Sequence, residues 1–477
     1  MKKISLFGLL CLMVLVLFAC DIPLTQGPID VTPTIDEQYH ISSFERFFDD
    51  SKEKSLTIHV TRSQWDLLDT YMIDYYERFG SYRDDRYVLS SVTYSDQEGE
   101  IELPDVAFRT RGNLSRVRIQ DDEGGLYLSH FKLKFNRVIT TNPFEENPEI
   151  EKRLVFGLEE IDLKYNRNLD ETMISEKYAH DLMRDFGVYA QHTTLVKLYL
   201  NIDGEETFYG LYTAFEPIDE HFINRRFDNE SADGNLYKSL WQQFGPATLS
   251  DNYEPNAIGI RNVQENYRPT YDLKTNKRTN QTTDLQTFIA NINQLNGVAF
   301  QTYIEAHFDV DRFLRLMAVG ALLGNPDDYR AMGNNYYLYH DPVEMKFHMI
   351  PYDYDHGLGQ GWNGFGDQGL GDYSLGLDLI TWVQLTDAFT GSDQSHVLSE
   401  KILAFPAYVI TYQNYLLELI DETDGLFRIE NFIALYTQQK TLYEDDLPSD
   451  LQSLTFGLRN IEWYYQEKTT QVVTQLG

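Results

Sequence analysis

A chain of 477 residues with 42% hydrophobic and 14% aromatic content has room for two or three domain-sized cores and is too apolar for wholesale disorder. Its formal net charge of −34 repels nucleic acid and anionic membrane faces, which excludes both as nonspecific partners, and attracts basic proteins. A nucleotide stays admissible if metal ions or local Lys and Arg offset that repulsion.

Lys2 and Lys3 precede an apolar run, Ile4 to Phe18, that is short for a membrane span. The run closes on Leu17-Phe18-Ala19-Cys20, which resembles the lipobox of bacterial lipoproteins, although Phe18 is bulkier than that pattern usually carries. The expectation is a signal peptide over 1–20, a lipid on Cys20, and a protein held on the extracytoplasmic face of the cell membrane. A plain signal peptide cleaved nearby is the competing reading. Cys11 and Cys20 are the two cysteines, so the mature chain is expected to have neither an internal disulfide nor a thiolate metal site.

Residues 21–50, interrupted by Pro23, Pro28 and Pro33, read as a flexible tether. The pattern predicts strands over Thr57 to Val60, Tyr87 to Tyr94, Val106 to Arg111 and Phe131 to Phe135, with a helix over Ser63 to Arg78. In the last of these strands Phe131, Leu133 and Phe135 face one side, and Lys132 and Lys134 the other. Arg111-Gly-Asn-Leu-Ser-Arg116 reads as a donor-rich turn, and Asn142 to Arg153 as a polar loop. Asp170 reads as the N-cap of a helix reaching Phe186 and stopped by Gly187. Asn201-Ile-Asp-Gly204 joins two strands, Leu195 to Leu200 and Thr207 to Phe215, as a hairpin.

Beyond Glu216 helices are predicted over Thr283 to Asn293, Val298 to His307, Asp309 to Leu323, Ser399 to Ile420, Ile429 to Leu442 and Leu454 to Val473. Asp251 to Asn280 and Gly357 to Gly376 read as irregular surface loops or a lid. A strand-rich half over 51–215 and a helix-rich half over 216–477 predict an α+β, two-lobed body.

The segment Gly324 to Gly359 concentrates the chemistry. An acidic turn (Asp327, Asp328) and an amide pair (Asn334, Asn335) precede a strand, Tyr336 to Tyr339. A turn at His340-Asp341-Pro342, a second strand, Lys346 to Ile350, and a second acidic turn, Asp353-Tyr-Asp355, follow. A hairpin brings its ends side by side, so Asn335 is expected beside Asp353 and Asp355, with Asp327 and Asp328 close by. Hard oxygen ligands so gathered suit Mg²⁺ and a polyphosphate. Phosphotransfer enzymes use this order: an Asp orients the acceptor hydroxyl, an Asn and a later Asp hold the metal, and a strand Lys clamps the phosphates. Lys132 and Lys134 are the candidate clamp, Arg111 a further phosphate donor, and Glu176 a possible helix partner for one of these lysines.

The ordered set of motifs resembles the spore coat protein H (CotH) family of atypical, secreted-type protein kinases. The motifs are Arg111-Gly-Asn-Leu-Ser-Arg116, Phe131-Lys-Leu-Lys-Phe135, Asp170-Glu-Thr-Met-Ile174 and Leu198-Tyr-Leu-Asn201. Tyr209-Gly-Leu-Tyr212 with Glu216, Gly234-Asn-Leu-Tyr-Lys238, the Asp327/Asn335 loop, Tyr336-Tyr-Leu-Tyr339 and Pro351-Tyr-Asp-Tyr-Asp355 complete the set, so the resemblance covers Arg109 to Gly359. It implies a two-lobed atypical protein-kinase-like fold and ATP- and Mg²⁺- or Mn²⁺-dependent phosphorylation of Ser or Thr in protein substrates. It also implies Asp327 as the catalytic-loop acid, Asn335 as the metal-side Asn, and Asp353 and Asp355 as the metal-binding pair. Three departures stand out: a longer Asp327-to-Asn335 loop, which leaves Asp327 and Asp328 as alternatives; Ser175 in place of a common Arg; and Tyr352 in place of a common Trp.

The resulting expectation is an exported, lipid-anchored, monomeric protein kinase with a basic protein as a suitable substrate. Two rivals use the same residues: a kinase-like surface binding or assembly lipoprotein without turnover, and a metal-dependent hydrolase of phosphoesters or glycans.

Overall fold

The computed structural model describes residues 39–113, 115–140, 147–360, 373–382, 391, 396–444, 447, 451 and 455–477. The expected signal segment, Cys20, the tether up to residue 38 and most of the glycine-rich stretch after Gly357 lie outside the described residues. The strands, in chain order, are β1 (His40–Ile41), β2 (Ser55–Val60), β3 (Val88–Asp96), β4 (Gly99–Thr110), β5 (Phe131–Lys134), β6 (Leu154–Val155) and β7 (Glu160–Tyr165). There follow β8 (Thr193–Ile202), β9 (Glu205–Phe215), β10 (Asn235–Ser239), β11 (Ile258–Gly259), β12 (Tyr271–Leu273), β13 (Tyr336–Asp341) and β14 (Lys346–Pro351).

Seven of them close into a barrel in the order β2-β3-β4-β5-β7-β9-β8. The closure is the parallel pairing of β2 with β8, Leu56 opposite Leu198, while the other neighbours run antiparallel. Alternation sends Phe131 and Leu133 of β5 and Ile161 and Leu163 of β7 inward, all fully buried with Leu56, Ile58 and Phe108. The helix Arg62–Phe79 adds Trp65, Leu68 and Met72 to this core. The same alternation turns Lys132, Asp162 and Lys164 together onto the outer wall, since Lys132 lies opposite Asp162.

The second sheet has the order β11-β12-β10-β13-β14. Leu338, Phe347 and Met349 of its hairpin join a larger apolar cluster built mainly from helices. At its centre lies the helix Val310–Leu323, whose residues are buried at nearly every position. The helices Ser175–Asp185, Thr283–Gln294, Pro406–Leu419, Ile429–Tyr443 and Ile461–Leu476 surround it.

The α+β class is as expected, and four local expectations are corrected. The end of the predicted tether is folded: Ser43 caps the helix Phe44–Phe48, and Phe47 is fully buried, stacked on Phe156 at 4.7 Å. Asp251 to Asn280, expected as irregular, supplies β11 and β12, because Tyr271 and Leu273 bury beside β10. The helix predicted over Ser399 to Ile420 is two helices, Val397–Ile402 and Pro406–Leu419: Pro406 has no N–H to continue the first and instead starts the second. The last helix starts at Ile461 rather than Leu454. Among the described residues no helix is long and apolar enough to cross a membrane.

Candidate functional site

The hairpin of β13 and β14 pairs Tyr336 with Pro351 at one end and Asp341 with Lys346 at the other. One residue beyond the paired end, Tyr352 N–H donates to Asn335 O at 3.1 Å, so Asn335 and Asp353 leave the sheet side by side. Both take left-handed backbone angles, with φ of 52° for Asn335 and 62° for Asp353. Such angles cost energy for residues other than Gly and are enriched at functional sites.

The two acids of the first turn have different surroundings. Asp328 caps the one-turn helix Tyr329–Met332 by accepting Ala331 N–H at 2.9 Å, and its other oxygen accepts Tyr354 O–H at 3.2 Å. That helix, ended by Gly333 at φ 60°, accounts for the length between Asp327 and Asn335. Asp327 is half-buried and receives side-chain amide N–H groups from Asn334 at 2.7 Å and Asn335 at 2.9 Å. Burial pushes the carboxyl of Asp327 up to about 6, with Asp353 and Asp355 adding to the effect against the Asn334 hydrogen bond. Burial likewise raises Asp328 to about 6.

Lys164, on the outer face of β7, joins the second acidic turn to Glu176 of the helix Ser175–Asp185. Its ammonium donates to Glu176 at 2.9 Å and to Asp353, and pairs with Asp355 at 2.9 Å. Burial opposes its charge, yet Asp353, Asp355 and Glu176 hold its pKa well above that of an ordinary lysine. Burial opposes ionisation of Asp353 as well, and Lys164 holds that carboxyl well below its usual range. Glu176 moves up to about 8, through burial and the two neighbouring aspartates. Lys164 is only 9% exposed, whereas Asp353 keeps 36% of its side chain open to solvent.

Glu176 is therefore paired with Lys164 and not with Lys132 or Lys134. The reason is register: β5 leaves its lysines beside β7, where Lys132 meets Glu160 and, at 3.1 Å, Asp162, and Lys134 meets Glu159 at 3.2 Å. Lys164, further along β7, reaches the helix Ser175–Asp185. Asp170, expected as the N-cap of that helix, lies one turn earlier: the cap residue is Ile174, and the Asp170 carboxylate reaches forward to accept Ser175 N–H at 3.0 Å. Arg459 donates to Ser175 at 3.1 Å and pairs with Asp170 at 3.3 Å, so a guanidinium from the far end of the chain approaches the position where an Arg was expected.

Arg111 reaches the rim of the same region. It pairs with Asp162 at 3.2 Å and donates to the Tyr352 hydroxyl at 2.8 Å, while the Lys238 ammonium lies 3.9 Å from the centre of the Tyr352 ring. Gly112, at φ 111°, has no room for a side chain, since a Cβ there would lie 2.6 Å from Ser115 Oγ. Thus Asp327 with Asn335, and Asp353 with Asp355, are brought together through Lys164 and the hairpin end, while Lys132 and Lys134 are engaged in the barrel wall. Lys164 was not singled out from the sequence, and Lys238 closed a motif without being given a role. The signal for Lys164 was the alternation Glu160-Ile-Asp-Leu-Lys164, two apolar residues between three charged ones. Glu216, part of the family motifs, is fully buried among His192, Arg225 and Arg226.

A ligand oxygen of each of Glu176, Asp353 and Asp355 lies within 4.8 Å of the other two. Three hard oxygen donors around one cationic nitrogen fit a divalent cation as well as they fit the ammonium.

An α+β protein with acids gathered round a strand lysine and a helix glutamate has the ingredients of a phosphotransfer site. The chain belongs to the CotH kinase protein family, whose model matches residues 109–475, extending past Gly359 through the C-terminal helices. It is similar to the inner spore coat protein H of Bacillus subtilis, 25% identical over 189 residues, covering 39% of this chain and 46% of that protein. It is also similar to the invasins CotH3 and CotH2 of Rhizopus delemar, 28% identical over 208 residues and 26% over 189; each alignment covers 39% of this chain and 30% of the invasin. The alignments thus span less than half of each relative.

Proposed function

We propose that the chain is an exported, lipid-anchored protein kinase, two-lobed, that transfers the terminal phosphoryl group of ATP to Ser or Thr of a protein with Mg²⁺ or Mn²⁺. The observation that carries this reading is the single ammonium of Lys164 shared between Glu176 and the Asp353/Asp355 pair. Kinases need that set of groups: a lysine for the nucleotide phosphates, a glutamate to hold it, and carboxylates for the metal.

Asn335, Asp353 and Asp355 would hold the metal, which when bound neutralises phosphate charge. Glu176 holds Lys164 in place for phosphate oxygens, and Arg111, beside Tyr352, adds a second positive group. Asp327, kept in position by Asn334 and Asn335, accepts the proton of the attacking hydroxyl. Asp328 is the less suited of the two, because it is more deeply buried, caps the helix Tyr329–Met332 and accepts the Tyr354 hydroxyl. A lipid on Cys20 would place this site outside the cell membrane, where the protein's negative charge favours basic substrates.

Incubation with γ-labelled ATP, Mg²⁺ and a basic protein is expected to label protein, and Asp353→Ala is expected to abolish labelling while leaving the circular dichroism spectrum unchanged. Labelling that persists in Asp353→Ala would overturn the metal assignment. Phosphate release with no labelled protein would favour a hydrolase. The printed names of the fungal relatives, invasins, support the rival of a surface protein without turnover; nucleotide binding by wild type in the absence of any transfer would favour it.

A further inference from the structure

The outer end of the hairpin carries a second constellation that phosphotransfer does not use. His348, on β14 opposite Tyr339, is 4% exposed, and alternation puts it on the same face of the hairpin as Asp341. His348 Nδ1 lies 3.0 Å from Asp309 Oδ2. Asp309 is itself fixed: its N–H donates to Phe347 O at 3.0 Å, and its carboxylate caps the helix Val310–Leu323 through Arg312 N–H at 3.1 Å and pairs with the Arg312 guanidinium.

A carboxylate on Nδ1 selects the tautomer that leaves the Nε2 lone pair free, as in the second shell of histidine metal ligands. Nε2 of His348 is buried and has no hydrogen-bond partner. A buried polar atom without a partner is uncommon and calls for an explanation. Its neighbours supply one: a ligand atom of each of Asp341, Glu344 and His348 lies within 4.8 Å of the other two. Glu344 is carried back over the site by the turn, in which Asp341 Oδ1 accepts the N–H groups of Val343 at 2.8 Å and Glu344 at 3.1 Å. The rings of Phe227 and Tyr189, centred 5.1 and 5.8 Å from the His348 ring, wall off one side.

We propose that Asp341, Glu344 and His348 form a divalent transition-metal site with Asp309 as its positioning residue. One imidazole nitrogen and two carboxylate oxygens suit Zn²⁺, with water in a fourth position, and suit Mg²⁺ poorly because of the nitrogen. Metal bound there ties the exposed turn of the hairpin to the buried helix Val310–Leu323. It anchors, at its far end, the element whose near end carries Asn335 and Asp353. The inference stands on its own residues and does not depend on phosphotransfer.

The test uses the full chain with Asp353→Asn and Asp355→Asn, so that the other carboxylate cluster is disabled, stripped with a chelator and dialysed against Zn²⁺. One retained Zn²⁺ per chain is expected, lost in His348→Gln. Asp309→Asn, which keeps a capping side chain, is expected to weaken retention by about 10- to 100-fold. Glu344 lies on an exposed turn, so Glu344→Ala tests the site even if His348→Gln fails to fold; it is expected to weaken Zn²⁺ at least about tenfold. No Zn²⁺ retained by the Asp353→Asn/Asp355→Asn chain, or equal retention after Glu344→Ala, overturns the proposal.

Discussion

Two groups of lysines stand on the same outer wall of the barrel, and their partners differ. On β5, Lys132 and Lys134 meet Glu159, Glu160 and Asp162, and Arg111, one residue past β4, also pairs with Asp162. On β7, Lys164 meets Asp353 and Asp355 together with Glu176, whose carboxyl is pushed up to about 8, and His356 stands 3.4 Å from Asp355. The two lysines of the first group are balanced by carboxylates of the barrel wall itself. The second lacks positive charge, and it opens to solvent at Asp353. A surplus of buried carboxylate is costly unless a cation joins it or one carboxyl keeps its proton, as the raised Glu176 does, so charge balance distinguishes the two groups where residue type alone does not.

The largest expected effect follows from breaking the unbalanced group. Lys164→Met is expected to lower the rate of phosphoryl transfer by about 10²- to 10³-fold, the usual loss for one group that stabilises charge in the transition state. The same variant is expected to bind Mn²⁺ without nucleotide about tenfold more tightly, because one competing charge worth about 1.4 kcal/mol is gone. Steady-state kinetics and calorimetry check both; unaltered kinetics would assign Lys164 to the scaffold.

Breaking the balanced group is expected to move stability instead. Lys132→Met leaves Glu160 and Asp162 short of a partner in a nearly buried setting and is expected to cost about 3 kcal/mol in denaturant unfolding. The rate per folded molecule is expected to change less than threefold. A large loss of rate with intact stability would return Lys132 to the phosphate clamp.

Acid dependence sharpens the contrast at Asp327. A base must be ionised to accept a proton, and burial holds this carboxyl up to about 6. The rate is therefore expected to rise with pH through about 6 and to level off above it, tenfold per unit on the acid side. Asp328→Asn keeps a capping side chain and is expected to retain that profile, although Asp328 has a similarly raised pKa. Loss of the acid limb in Asp328→Asn would exchange the two roles. The smallest effect is expected for Asp328→Ala, about 1 kcal/mol of stability from the lost cap.

The hairpin was legible in the sequence because strong alternation flanked a short turn, and the structure extends its strands by only one or two residues, to Tyr336–Asp341 and Lys346–Pro351. The neighbourhood of Asn335 and Asp353 followed from that. What was not legible was tertiary. Lys164 finds Glu176 twelve residues away and Asp353 189 residues away, and no local pattern ranks it above Lys132 and Lys134. Its strand has charged residues at three of its six positions, which reads as a polar connection unless the barrel wall that covers them is known. Likewise the short β12 is a strand only because β10 lies beside it, and β11 only because β12 does.

The central claim is that a divalent cation belongs among Glu176, Asp353 and Asp355, where Lys164 now lies. Anomalous diffraction from crystals soaked with Mn²⁺ and a nonhydrolysable ATP analogue tests it most directly. The account predicts a manganese peak against Asp353 and Asp355, with Lys164 on phosphate oxygens and still bonded to Glu176. Bound nucleotide with no manganese at these carboxylates, or manganese only at Asp341, Glu344 and His348, would contradict it.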